Sequence, residues 1–395
     1  MKNNSMEKNP KFDDIRPYYD EEAAPAIELL LKDPQFQKAM HYIFSDRDCG
    51  ELEQSMRKYT NLRDFQLWLA KNVVVEVLNR SSSGFTCSGF EKVSKTDAYI
   101  YISNHRDIVL DASILDVKLI ENGFETAEVA IGDNLLLTES IKDMVRLNKS
   151  FIVKRNLPLR QTLEASLHLS EYIRYTIRCK NQSIWIAQRE GRAKDSNDRT
   201  QESVLKMLAM GGDRNFIKSL EELNLVPTTF SYEYDPCDFL KAKEFQQKKD
   251  NPDFKKTKED DLLSMKTGLF GYKGEVHLQI GNYINPSLLK LDATSGRNEL
   301  AKEVASLIDK EIFRNYKFFP VNYIAYDRIW GNNFFKEKYT PEDIEKFDKY
   351  FQQQLNKIDL PNKDIPFLKE KMMEMYAYPV RNNYETMFDV VNYKL

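Results

Sequence analysis

A histidine with a nearby carboxylate follows a short apolar segment around residue 100. The run Tyr101–Ser103 has the character of a strand, His105 comes two residues after it, and Asp111 lies six residues beyond His105. Backbone N–H groups at such a strand-to-helix junction are free to face a substrate. An imidazole oriented by a carboxylate can act as a general base. The other three histidines lack an acidic partner arranged in this way; they are His41, His168 and His277.

A structural alternative exists for the same segment. Asn104 is a good N-cap residue and Asp107 would then occupy the third helical position, which makes His105 an ordinary first-turn residue. The segment that follows carries an apolar helical stripe made by Ile108, Ala112, Leu115 and Leu119. Asp111 lies beside that stripe, where a carboxylate is costly unless it is paired. Its nearest plausible partner is His105.

Three later blocks also place polar residues after strand-like segments. The first is Lys149–Arg155, the second runs from Ile184 through Glu190-Gly191 to Lys194, and the third is Leu225–Asp235. Arginine binds phosphate well because its planar fork reaches two oxygens at once. Arg155, Arg192 and Lys194 are therefore either solvated loop charges or cations that the strands bring to one edge of the sheet, where they would bind a phosphate group. Glu190-Gly191 is either a plain loop turn or part of an acceptor pocket, with Gly191 allowing close backbone approach.

His105 with Asp111 and the three later blocks together resemble, in order, the four motifs of the glycerolipid acyltransferases, the family of glycerol-3-phosphate and 1-acylglycerol-3-phosphate acyltransferases. The resemblance covers about Gly84 to Pro286. Three departures are visible: five residues instead of four separate His105 from Asp111, the second block lacks its glycine, and Ala193 stands where the third block has an arginine.

The resemblance implies an α/β acyltransferase domain and a specific reaction. A fatty acyl group would pass from acyl-CoA or acyl carrier protein to the hydroxyl of glycerol 3-phosphate or 1-acylglycerol 3-phosphate in phospholipid synthesis. His105 would be the general base and Asp111 would orient it, with no cofactor beyond the acyl donor. Three other functions remain open: an acyltransferase for an amino-acid lipid, a thioester hydrolase, or a non-catalytic scaffold of the same fold, the last suggested by the altered spacing and Ala193.

The amino-acid composition limits the classes of possible binding partner. The net charge of −3 gives no global basic field for nucleic acid. The four cysteines show no Cys-x-x-Cys spacing and the sequence predicts no metal site. The charged start of the chain lacks a signal-peptide pattern, so we expect a cytoplasmic protein with reduced thiols. No window approaches 18 consecutive apolar residues, so contact with a membrane surface would be peripheral, at its inner face, with Phe65–Leu78 as the best candidate helix.

The chain divides into three predicted regions. Residues 1–83 are expected to be helical, 84–290 to form the α/β catalytic domain with a largely parallel sheet flanked by helices, and 291–395 to form a mostly helical extension. Residues 81–84 are interpreted as a linker, 239–262 as a mobile charged arm, and 323–327 as an aromatic connection. His277 is expected in a late strand between Gly274 and Gly281. The predicted helices of the two outer regions are Glu21–Lys32, Pro34–Ser45, Asn61–Asn79, Ala293–Asn315 and Pro341–Leu355.

Overall fold

A seven-stranded mixed sheet forms the centre of the protein. The computed structural model describes residues 8–44 and 48–387. The strands are Gly84–Ser88 (β1), Ile100–Ser103 (β2), Glu128–Gly132 (β3), Ser150–Val153 (β4), Ile184–Ala187 (β5), Leu225–Tyr232 (β6) and Glu275–Ile280 (β7). Their order is β1-β7-β6-β2-β5-β3-β4. All neighbours pair in parallel except β6 and β7. The predicted α/β fold with a largely parallel sheet is confirmed.

The central strands are apolar on both faces. Ile100, Ile102 and Ile184 pack into one buried cluster, whereas Tyr101 and Trp185 pack into another on the opposite face. A parallel strand covered by helices on both sides requires such a continuous apolar run. Because β2 lies between β6 and β5, the residues that follow β2 emerge in the middle of the sheet edge where the parallel strands end.

The described residues before β1 form five α-helices and one unusual turn. These helices are Asp20–Lys32 (α1), Pro34–Ile43 (α2), Cys49–Met56 (α3), Leu62–Trp68 (α4) and Val75–Ser81 (α5). A π-helical segment, Leu69–Val74, joins α4 to α5. The predicted linker at 81–84 is reduced to two residues, because Ser81 ends α5 and Gly84 begins β1. The N–H groups of Ser82 and Ser83 donate to the carbonyls of Leu78 and Gly274.

The helical segment Phe65–Leu78, which the sequence indicates as the candidate for membrane contact, packs in the core instead. Phe65 and Leu78 are fully buried, and Trp68 is 4% exposed. Phe65 and Trp68 pack in a cluster with α1, and Leu78 packs against the sheet. This apolar face is therefore covered by the protein itself. Within the described residues, no helix combines the length and apolar character needed to cross a membrane.

Eight helices lie between β2 and the C-terminal region. They are Leu110–Glu121 (α6), Glu139–Leu147 (α7), Leu159–Arg178 (α8), Glu202–Leu208 (α9), Phe216–Glu221 (α10), Asp238–Asp250 (α11), Lys258–Phe270 (α12) and Asn285–Leu288 (α13). The predicted mobile charged arm at 239–262 is wrong, because it forms most of α11 and the start of α12. Lys241 and Glu244 of α11 are buried and paired with Asp235 and Lys194, so ion pairing explains a charged sequence in an ordered helix.

Four helices follow: Arg297–Arg314 (α14), Pro320–Ile329 (α15), Pro341–Lys357 (α16) and Ile365–Met387 (α17). The predicted connection at 323–327 is wrong, because these residues lie inside α15. Helix α14 contributes Val304 and Ile308 to the core beneath the sheet. Helices α15, α16 and α17 share a separate core that includes Ile324, Phe347 and Met372. The C-terminal region thus packs both on the sheet and on itself.

Candidate active site

His105 and Asp111 meet at the edge of the sheet where β2 ends. Helix α6 begins only at Leu110, so His105 lies in the turn between β2 and α6. Asp111, in the first turn of α6, points back toward that turn, and its Oδ2 lies 2.9 Å from Nδ1 of His105. The carboxylate is fully buried, while 13% of the imidazole side chain is exposed. The predicted pair therefore exists, with one partner accessible and the other enclosed.

Three further donors fix the Asp111 carboxylate. The backbone N–H groups of Arg106 and Asp107 donate to Oδ2 at 2.6 and 3.0 Å, and the Tyr232 hydroxyl donates to Oδ1 at 2.9 Å. The carboxylate can therefore rotate only by breaking several hydrogen bonds. With Nδ1–H of His105 donating to this acceptor, Nε2 carries the lone pair that a general base needs.

Trp185 and the two residues before His105 hold the imidazole ring in place. The indole of Trp185 lies edge-to-face with the imidazole, with ring centroids 5.4 Å apart. The indole N–H donates to Ser103 Oγ at 3.0 Å. The Asn104 side chain exchanges two hydrogen bonds with the backbone of Phe230, at 2.9 and 2.8 Å. The alternative that Asn104 caps a helix is thus wrong, because its amide extends the pairing of β2 with β6 beyond the last strand residue.

Asp107 performs the capping role near the start of α6. Its Oδ1 accepts the N–H groups of Val109 and Leu110 at 2.9 and 2.8 Å. Burial and the neighbouring Asp111 raise the pKa of Asp107. Helix α12 passes so close that a Cβ at Gly268 would lie 1.9 Å from Asp107 Oδ2. A glycine is required there for the two elements to approach.

The residue after His105, Arg106, belongs to a group of buried charged side chains that includes Asp198 and Asp235. The Arg106 guanidinium is buried and donates to Ser196 Oγ at 2.5 Å and to Asp235 Oδ2 at 3.2 Å. Burial raises the pKa of Asp198 to about 6, although positive charges at Arg106 and Arg189 act in the opposite direction. Asp198 also lines a small cavity of about 10 Å³ beside Asn104.

The three predicted phosphate-binding cations have different partners. Arg155 forms an ion pair of 2.5 Å with Glu190. Lys194 pairs with Glu244 of α11, and burial lowers the pKa of Lys194 to about 8. Arg192 lies in the field of Asp107, Asp235 and Cys237. These contacts do not show the three cations surrounding a common binding site, so a shared phosphate site stays a prediction.

Glu190 and Gly191 form a tight turn after β5. Gly191 has φ +66°, which only glycine adopts without strain. A Cβ at Gly191 would contact nothing within 4 Å, so backbone conformation rather than crowding requires the glycine. The Glu190 N–H donates to Gln201 Oε1 at 2.7 Å. Glu190 therefore ties the loop together at both its backbone and its side chain.

Sequence reasoning overlooked Arg189. Among the described residues, Arg189 Nε and Arg192 Nη1 are buried atoms without a hydrogen-bond partner. Arg189 also acts electrostatically on Asp198, as His105 does. The signal that identified Arg192, a cation directly after an apolar strand, applies equally to Arg189. The third motif of the resembled family has no fixed residue at that place, so the pattern gave no reason to select it.

Comparisons with known proteins give a distant structural likeness. No family model matches the chain, and no curated protein matches it in sequence. Among solved structures, the chain is similar to the 1-acyl-sn-glycerophosphate (LPA) acyltransferase PlsC from Thermotoga maritima, with 13% sequence identity and a TM-score of 0.38. That likeness covers 73% of this chain and 94% of the other.

Proposed function

We propose that this protein is an acyltransferase that transfers a fatty acyl group from acyl-CoA or acyl carrier protein to a glycerol-phosphate-type hydroxyl. The observation that carries the proposal is the 2.9 Å contact between His105 Nδ1 and the buried Asp111 carboxylate. The order of the four sequence blocks gives the reaction class. No covalent intermediate on the protein is needed, because the acceptor supplies its own hydroxyl.

The geometry supports a single proton path. Nε2 of His105 takes the acceptor's hydroxyl proton while the oxygen attacks the thioester carbonyl. The tetrahedral intermediate then collapses, the C–S bond breaks, and the imidazolium returns the proton to the departing thiolate. The products are an ester and a free thiol. Asp111 stabilises the imidazolium during this cycle and keeps Nε2 aimed at the substrate.

Two arginine nitrogens that lack a hydrogen-bond partner support an anionic acceptor. Arg189 Nε and Arg192 Nη1 are buried donors that have no partner among the described residues, and such donors are costly unless something binds them. A phosphate group would satisfy both, since a guanidinium binds phosphate with directed hydrogen bonds. We assign acceptor binding to Arg192 together with Arg189. Arg155 and Lys194 would take part only by exchanging their present carboxylate partners, Glu190 and Glu244, for phosphate.

Because the acyl donor and the acylated product both carry a long acyl chain, we also propose peripheral contact with a membrane surface at its cytoplasmic face. The loop between Glu190 and Lys194 would shape the acceptor pocket. Acyl length, donor carrier and the acyl state of the acceptor are to be read from the product.

The test measures thiol release from palmitoyl-CoA, with and without glycerol 3-phosphate or 1-acylglycerol 3-phosphate, and identifies the product by mass spectrometry. We expect release that depends on acceptor, an acylated glycerol phosphate as product, and loss of both in His105→Ala. Release without acceptor would instead indicate a thioester hydrolase. Acylation of an amino-acid lipid alone would indicate the rival acceptor. If the folded protein is inactive with both acyl-CoA and acyl carrier protein donors, the result would indicate a non-catalytic scaffold.

A further inference from the structure

A turn after β6 gathers charge behind the catalytic residues. The Asp235 carboxylate accepts the Cys237 N–H at 2.9 Å, the Lys241 ammonium at 2.5 Å and the Arg106 guanidinium at 3.2 Å. Each of the three charged side chains is at most 6% exposed. Burial raises the pKa of Asp235, but the charges of Lys241 and Arg106 outweigh it and leave that pKa lowered.

The C-terminal helices bind the backbone of the same turn. The Tyr376 hydroxyl of α17 accepts the Asp235 N–H at 3.3 Å and donates to Asp238 Oδ2 at 2.7 Å. The Tyr350 hydroxyl of α16 donates to the Asp235 carbonyl at 3.2 Å. Gln354 of α16 donates to Asp238 Oδ1 at 2.7 Å. Both polar groups of the Asp235 backbone thus contact tyrosines from more than a hundred residues later in the chain, and the carbonyl also accepts the Asp238 N–H at 3.0 Å.

Arg106 connects this turn to the dyad. Its N–H donates to Asp111 at 2.6 Å, its guanidinium reaches Asp235, and its carbonyl accepts the Lys241 ammonium at 3.5 Å. The residue directly after His105 is therefore held at both ends of its backbone and at the tip of its side chain. A shift of the Asp235 turn would move the His105–Arg106 peptide with it.

Stability alone is a poor reason for such an arrangement. Burying Arg106, Asp235 and Lys241 removes three charges from water, and replacing buried ion sets by apolar residues of similar volume is often neutral or stabilising. Directed hydrogen bonds to charged groups, in contrast, constrain the orientation of the groups that they join. The arrangement is therefore expected to affect the orientation of nearby groups.

We propose that helices α16 and α17 position His105 through the chain of contacts Tyr376 and Tyr350 to Asp235, and Asp235 to Arg106. These residues, with Lys241, are positioning residues and do not touch substrate. The inference rests on the proposed function only in taking His105 as the base. It gives the C-terminal region, which carries none of the four sequence blocks, a part in the reaction.

The test measures the tautomer and the titration of the His105 imidazole by NMR. Protein labelled with ¹⁵N in its histidines is titrated by NMR, with the His105 signals assigned by their loss in His105→Ala. The variants are Tyr376→Phe and Lys241→Met. The matched control is Tyr339→Phe, which removes a tyrosine hydroxyl donating to Asp327 at 2.8 Å in the same helical region. We expect the tautomer populations and the titration midpoint of His105 to change in the two variants and to match wild type in the control.

Turnover gives a second reading. Displacing the base slows the chemical step but leaves substrate binding unchanged. In Tyr376→Phe, kcat should therefore fall on the order of ten- to a hundred-fold while the acceptor KM stays unchanged. The proposal is overturned if the His105 titration in both variants coincides with wild type while thermal melting shows them folded. If Lys241→Met does not fold, Tyr350→Phe replaces it. The NMR titration needs no turnover, so an inactive protein whose His105 still responds would reject the acyltransferase function and leave the positioning role standing.

Discussion

The Nδ1 atom of His105 lies 2.9 Å from Oδ2 of Asp111, although five residues separate the two in the chain. Residues six apart on a regular helix point in different directions. The contact forms because α6 begins at Leu110 and His105 lies in the irregular turn before it. That turn accommodates the additional residue relative to the four-residue spacing of the resembled family.

Asp111→Asn should reduce kcat on the order of 10³- to 10⁴-fold with the fold intact. The amide oxygen can still accept the N–H groups of Arg106 and Asp107, and its NH₂ can face the Tyr232 hydroxyl. The imidazolium, however, loses its buried counterion. Steady-state kinetics and a thermal melt measured on the same preparation check both halves of this expectation.

Asp107→Asn is the comparison variant for the dyad. Asparagine keeps the oxygen that accepts the Val109 and Leu110 N–H groups, and it removes a charge that burial and Asp111 disfavour. We expect steady-state kinetics to show a far smaller loss of kcat than in Asp111→Asn. If Asp107→Asn abolished turnover and Asp111→Asn were tolerated, the assignment of the dyad would be wrong.

Gly268→Ala should destabilise the protein and lower its activity together. The new methyl group would lie 1.9 Å from Asp107 Oδ2, and relieving such overpacking costs about 1–3 kcal/mol. Gly296→Ala is the control, because a Cβ there meets nothing within 4 Å. Urea unfolding of both variants measures the difference. Equal stability of the two would show that α12 does not press on the α6 capping turn.

Arg189→Ala and Arg192→Ala should each raise the acceptor KM by roughly ten- to a hundred-fold, the value of one hydrogen bond to a charged group. The KM of the acyl donor should change little. Lys194→Ala should have a smaller effect, because Glu244 already pairs with Lys194 and also contacts Lys248 at 2.9 Å. Arg160→Ala is the control, since Arg160 is 92% exposed. An unchanged acceptor KM in both arginine variants would exclude a phosphate site here.

Asp309 should make stability depend on pH. It accepts the hydroxyl and the N–H of Thr200 at 2.6 and 2.8 Å, and burial raises its pKa to about 6. The folded protein therefore binds a proton that the unfolded chain releases near pH 4, so this contribution to the free energy of unfolding falls as pH rises from about 4 to 6. At 1.36 kcal/mol per pKa unit the loss is up to about 3 kcal/mol. Denaturant unfolding of wild type and Asp309→Asn across this range should show a difference that changes with pH, and parallel curves would contradict it.

The sequence predicted the sheet and the dyad because both depend on local patterns. Apolar runs such as Ile100–Ile102 require burial on two faces, and Asp111 beside an apolar stripe requires a partner. The helices within residues 239–262 could not be predicted, because their stability depends on distant residues. Lys241 and Glu244 are charged, and no local pattern shows that Asp235 and Lys194 neutralise them inside the fold. Phe65 and Trp68 were considered for membrane contact because an amphipathic pattern does not say which surface covers its apolar face.

The contacts of Tyr376 with the Asp235 turn also set an order of events during synthesis. Asp235, the last residue of the fourth sequence block, leaves the ribosome 141 residues before Tyr376, which at about 5–20 residues per second is roughly 7 to 30 s. Throughout that interval the nascent chain carries all four sequence blocks, while the N–H of Asp235 still lacks its partner. A message cut short before α17 would therefore encode a chain with every recognisable motif and an unsupported histidine. Translation of α17 thus precedes completion of the site.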